Sequence, residues 1–170
     1  MFLQVHTSPR TRHKGEIIAR TGLHNGVPSG FIDNVVGRAS DSSQVAGTSI
    51  CASGYTTNKV ACASVYFGPG TQLIENGVKL VGNLACGFFT DVPGDSGGSV
   101  YVPEPGNAGK AAGVIDVVSE GPFNRIPIFT YFNGDGPLSC YTTIDSVLQG
   151  ISAHNQGVPA YVVDANGSFS

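Results

Sequence analysis

Charge is scarce in this chain. Only 12% of its 170 residues are charged, and the formal balance is −3. No run of Lys or Arg exceeds the loose cluster Arg10, Arg12 and Lys14, which reads as solvated surface. There is therefore no electrostatic footprint for nucleic acid or for an anionic membrane surface. No apolar stretch approaches the length of a membrane span, so no membrane partner is expected. Cys-x-x-Cys and paired-histidine spacings are both absent, which speaks against a metal site. No internal repeat is visible. The opening Met1-Phe2-Leu3-Gln4-Val5-His6 also lacks the apolar core of a secretory signal, which needs about seven residues or more.

Glycine (24) and proline (10) are plentiful, and Val, Ile, Thr, Tyr and Phe recur in short runs. That mixture predicts many short strands joined by tight turns, an all-β chain. The length suits one ordinary domain, or one small barrel plus part of another. Four cysteines at uneven spacing fit two disulfides in an oxidising compartment, and so an extracellular protein. An oxidised chain with no visible signal segment leads to the expectation that the beginning has been lost.

Residues 1–30 are polar and broken by Pro9, Gly15, Gly22, Gly26, Pro28 and Gly30. Strand-like segments follow at 31–36 and 45–50, then more regularly at 59–66, 78–84, 99–102, 111–118 and 126–132, in the rhythm of a meander or Greek key. Ile144, Val147, Leu148 and Ile151 stand at i, i+3, i+4 and i+7, which predicts a helix over about 143–153 with Thr142 or Thr143 as its cap. The sequon Asn166-Gly167-Ser168 could accept a glycan in an exported chain, although such short matches are usually silent.

The segment that carries chemistry is Gly94-Asp95-Ser96-Gly97-Gly98. In a glycine-rich protein it could be an ordinary β-turn. As a catalytic loop, each residue has a job. Ser96 is the nucleophile, and the N–H groups of Gly94 and Ser96 form an oxyanion hole. Asp95 anchors the loop, while Gly97 and Gly98 leave room for substrate.

The flanking residues favour the second reading. Cys51-Ala52-Ser53-Gly54-Tyr55-Thr56-Thr57 through Cys62 resembles the first disulfide hairpin of the second barrel in bacterial chymotrypsin-like serine proteases, the streptogrisin and alpha-lytic group. Cys86, then Pro93 to Tyr101 around the motif, then Ala112-Gly113-Val114, then Cys140 before the terminal helix follow in that family's order, so the likeness runs from about residue 30 to 153. It implies disulfides Cys51–Cys62 and Cys86–Cys140. The implied fold is a six-stranded Greek-key β-barrel, the second barrel essentially complete and the first partial, with a C-terminal helix. The corresponding units are a first-barrel remnant and connector at 1–44, the second barrel at 45–153 and a tail at 154–170. The implied activity is hydrolysis of protein or peptide substrates through an acyl-enzyme on Ser96, without metal or cofactor, and open to protease inhibitors.

Several residues depart from that pattern. A serine nucleophile needs a base oriented by a carboxylate, yet none of His6, His13, His24 or His154 has the family's Thr-Ala setting. Glu16, ahead of Ile17-Ile18-Ala19, is a candidate acid, and His6 or His13 a candidate base by an unexpected route. A polar surface histidine near a terminus is the plainer reading of each. Ala52 stands where relatives carry the basic partner of the aspartate beside the nucleophile, leaving Arg38 or Lys59 as substitutes. Val118 replaces a glycine at a pocket mouth, and 87–91 lengthens a loop, so substrate preference is not implied. The alternative expectation is a catalytically incompetent homologue acting as a binding module.

Overall fold

The computed structural model describes residues 23–24, 27–28, 34–54, 56, 60–75, 78–89, 94–106, 108–118, 138–164, 166 and 168–170. Nine strands are seen among them: β1 (Leu23–His24), β2 (Val27–Pro28), β3 (Asn34–Arg38), β4 (Ser49–Ser53), β5 (Val60–Glu75), β6 (Val78–Gly87), β7 (Ser99–Glu104), β8 (Ala108–Val118) and β9 (Ser139–Thr143). A 3₁₀ turn at Asp41–Ser43 and the helix α1 (Ile144–His154) complete the described elements. Among the described residues β1 and β2 pair with each other alone. The other seven strands form one sheet in the order β3-β8-β7-β4-β5-β6-β9, and β9 also pairs with β8.

This corrects the expected six-stranded Greek-key barrel. The strands form a mixed, mostly antiparallel seven-stranded sheet followed by one helix. The departure comes from β3, which joins β8 in parallel, with Asn34 opposite Ala108 and Val35 opposite Gly109. The expected strand at 126–132 lies outside the described residues.

Local readings also shift. Val45, taken as the start of a strand, is 55% exposed, and β4 begins only at Ser49. Gly47, at φ +92°, turns the chain there, and the Thr48 N–H donates to the Val45 carbonyl. β5 passes straight through Gly68-Pro69-Gly70, which reads as a turn in sequence. The ladder with β6 slips between Phe67 and Thr71, and an irregularity of that kind accommodates a proline that has no N–H to pair.

Strand alternation builds two apolar layers. Ile50, Ala52, Val100 and Ile115 point into one, with Phe89 and Tyr141; Cys51 and Tyr101 point into the other, where Ile144 and Leu148 of α1 cover them. The helix stands as its 3.6-residue pattern predicts. Thr143 caps it by accepting from the Ser146 N–H at 3.4 Å, Asp145 lies in its first turn, and the exposed His154 lies in its last. The disulfides Cys51–Cys62 and Cys86–Cys140 join β4 to β5 and β6 to β9.

Among the described residues the polar side chains of Gln44, Ser139 and Thr143 lie fully inside. Gln44 is 0% exposed; its amide donates to the carbonyls of Ala39 and Ala112, and its Oε1 accepts from the Tyr141 hydroxyl at 2.7 Å. Burial, with a further push from the Asp41 carboxylate, raises the Tyr141 phenol well above its ordinary 10.0. A raised folded value means that this group's stabilisation is whole below the unfolded value and fades as pH climbs above it. Tyr141→Phe should leave Gln44 Oε1 unpaired and cost about 1–3 kcal/mol in urea unfolding near neutral pH. It should also flatten part of the loss of stability that the wild type shows above pH 10.0, the ordinary tyrosine value, the buried Tyr101, likewise raised, supplying another part. An unchanged alkaline slope would contradict this assignment.

Candidate active site

The segment 94–98 leads directly into β7, and three contacts define it. The Gly98 N–H donates to the Asp95 carbonyl at 2.9 Å, closing a tight turn around Ser96. On the far side, the Gly97 N–H donates to the Ile115 carbonyl at 2.8 Å, and the Ile115 N–H donates to the Gly98 carbonyl at 2.9 Å. The turn is thereby clamped to β8 from both directions. Gly94 (φ +97°) and Gly97 (φ +85°) occupy backbone regions that side chains avoid, so the motif's glycines are conformational requirements.

Beneath the turn, Asp95 is 1% exposed and its Oδ1 accepts from the Thr56 N–H at 2.6 Å. The space for that carboxylate exists because residue 54 is glycine: a β-carbon there would overlap the Asp95 carboxyl. A β-carbon at Gly94 would fall on the Thr56 hydroxyl, and one at Gly98 on the Ser53 carbonyl. The hairpin after β4 is thus a cup for the anchor. Its charge-assisted bond takes part of the role expected of a basic partner. Arg38 is not that partner, being engaged at 2.7 Å by Asp145 at the start of α1. Lys59 lies outside the described residues.

Ser96 itself is exposed, and its hydroxyl has no hydrogen-bond partner among the described residues. The amides of Gly94 and Ser96 likewise donate to no described group. His6, His13 and Glu16 lie outside the described residues. Of His24 only the backbone, in β1, is described, and His154 is exposed at the end of α1. No His/Asp/Ser triad is assembled among the described residues, nor is any group of three metal-ligating side chains. From the lengthened loop, Phe88 is half-buried and Phe89 is 2% exposed beside Tyr141, so this insertion feeds the core.

Two features escaped the sequence. Gly54 and Thr56 hold Asp95, and Asp116 follows the residue that clamps the Ser96 turn. Only the position of Gly54 and Thr56 inside the disulfide hairpin offered a signal.

No family model matches the chain, and no curated protein matches it. Among solved structures it is similar to the chymotrypsin of Cellulomonas bogoriensis, with a TM-score of 0.52 and 20% identity over 82% of this chain. The fold is chymotrypsin-like. Protease A of Thermobifida fusca also aligns, with a TM-score of 0.49 and 19% identity, over 73% of this chain and 54% of that one. The chain spans 60% of the Cellulomonas chymotrypsin. At such identity the likeness is one of fold, and within this chymotrypsin-like fold the two disulfides are consistent with export.

Gly54→Ala should drive a methyl group into the Asp95 carboxyl and lower stability by about 2 kcal/mol or more in urea unfolding. Gly150→Ala, on α1 with open space around it, serves as a control and should be neutral or stabilising by up to about 1 kcal/mol. Equal midpoints for the two variants would contradict the cup.

Proposed function

We propose that this chain is a serine endopeptidase that cleaves peptide bonds of protein or peptide substrates through an acyl-enzyme on Ser96. One observation carries the reading: an exposed serine sits on a glycine turn that is clamped on β8 and anchored by a buried aspartate, beside two backbone N–H groups that donate to no described group. The Ser96 Oγ attacks the scissile carbonyl while its proton passes to an imidazole base. The oxygen of the tetrahedral intermediate is held by the N–H groups of Gly94 and Ser96, each such donor being worth about 3–4 kcal/mol. Collapse breaks the C–N bond as the imidazole returns the proton to the leaving amine. Water then repeats the sequence to release the acid.

Among the histidines, His13 is the base that the sequence offers. The narrower likeness to the streptogrisin and alpha-lytic group rests on the Cys51–Cys62 hairpin and the order of landmarks after it. The same chemistry would expose the protein to inhibitors that present a peptide carbonyl to Ser96.

A second reading, a homologue that binds peptides without cleaving them, is favoured by the unpartnered Ser96 hydroxyl among the described residues. A fluorophosphonate probe separates the two. The folded chain should gain one covalent adduct, mapped to Ser96 by mass spectrometry and lost in Ser96→Ala, and His13→Ala should slow the reaction if that imidazole is the base. A folded chain that gains no adduct would be the binding module.

A further inference from the structure

We propose that Asp116 is the carboxylate that orients the general base of Ser96, a positioning residue in a role that the sequence alone assigns to Glu16. The inference rests on the endopeptidase reading above and deepens it.

The geometry begins with the clamp. The Gly97 N–H is bonded to the Ile115 carbonyl, so Ser96 precedes one partner of that hydrogen bond and Asp116 follows the other. The two side chains therefore flank a single inter-segment bond. Paired segments lie about 5 Å apart and advance about 3.3 Å per residue. An imidazole joined to a hydroxyl and to a carboxylate by hydrogen bonds of about 2.8 Å spans roughly 8 Å, a gap of the same order.

Orientation and chemistry agree with this placement. Ile115 is 2% exposed and faces the core, whereas Asp116, at a slip in the β8–β9 ladder between Ile115 and Val117, is half-buried and turns to the Thr142 side chain. There its Oδ2 accepts from the Thr142 hydroxyl at 2.9 Å, which fixes the carboxylate plane. Its other oxygen has no partner among the described residues. The other carboxylates whose side chains are described are committed elsewhere. Asp95 holds the Thr56 amide, Glu104 pairs with Lys110, and Asp145 with Arg38. Asp41 takes the Asn83 amide, and Asp164 accepts from the Asn166 and Ser168 amides in the tail. Among the described carboxylates, Asp116 sits on the strand that clamps the Ser96 turn and meets, among the described residues, only the neutral Thr142 hydroxyl.

In the reaction, the Ser96 proton moves to one ring nitrogen of the base while the N–H of the other nitrogen donates to Asp116. The carboxylate stabilises the imidazolium, and the proton stays on the ring.

The test is the second-order rate constant for fluorophosphonate labelling of Ser96 across pH, in the full chain and in Asp116→Asn, Asp116→Ser and Glu16→Gln. Both Asp116 variants should lose on the order of 10³-fold or more, the scale seen when a triad aspartate is amidated. Serine keeps a polar partner for Thr142, so it guards against a folding defect in the asparagine variant. The acid limb of the residual rate should move to lower pH, because an imidazole without its carboxylate binds its proton less tightly. A merely structural role would leave that limb in place. Glu16→Gln should label like the wild type. Rates in both Asp116 variants within about threefold of wild type, or a loss confined to Glu16→Gln, would overturn the role of Asp116 and leave the endopeptidase reading standing. A folded wild type that takes no label would overturn both.

Discussion

A single buried carboxylate holds the site together. Asp95 lies under the turn that carries Ser96 and takes the Thr56 amide at 2.6 Å, in a space that exists because residue 54 has no side chain. An ionised group left unpaired at that depth would be costly, so the hairpin between β4 and β5 and the turn before β7 must be correct together. The Cys51–Cys62 disulfide ties the two strands of that hairpin to each other. Sequence-distant segments thus fix one backbone shape, and the exposure of Ser96 follows from it.

β8 supplies the second constraint. It pairs with β7, with β9 and, in parallel, with β3, and its Ile115 makes both backbone bonds that pin the Ser96 turn to it. Close packing along this strand leaves no room at Gly113, where a β-carbon would meet the Thr142 carbonyl and the Tyr141 ring. The Gln44–Tyr141 bond and the Cys86–Cys140 disulfide hold β9 from its two sides. The turn that carries Ser96 is therefore held by both β8 and the hairpin after β4.

Much of this was legible in the residues. Helix α1 follows from its apolar spacing and its threonine cap, and the disulfides match the pairing implied by the family likeness. Long-range pairing was less accessible. Nothing local in Asn34–Arg38 tells it to lie parallel to β8, because register is chosen by partners far away in sequence. Pro69 reads as a stop, yet a ladder slip lets β5 run past it. Val45 reads as a strand residue and sits exposed in a turn set by Gly47. In the site, the glycines of the motif declared their backbone roles, whereas Gly54 looked like any turn glycine until Asp95 was placed against it. Asp116 was hidden for the same reason: an acid in an apolar run acquires meaning only when the neighbouring strand is known.

The central claim is that the Asp95-anchored turn holds Ser96 beside two backbone donors ready for an oxyanion. The most direct measurement is a crystal structure of the chain after reaction with a peptidyl phosphonate. The account predicts a bond from Ser96 Oγ to phosphorus and a phosphoryl oxygen within hydrogen-bond reach of the Gly94 and Ser96 N–H groups, with the Asp95–Thr56 contact unchanged. An adduct whose phosphoryl oxygen faces solvent, or a turn that must rebuild to accept it, would contradict the account.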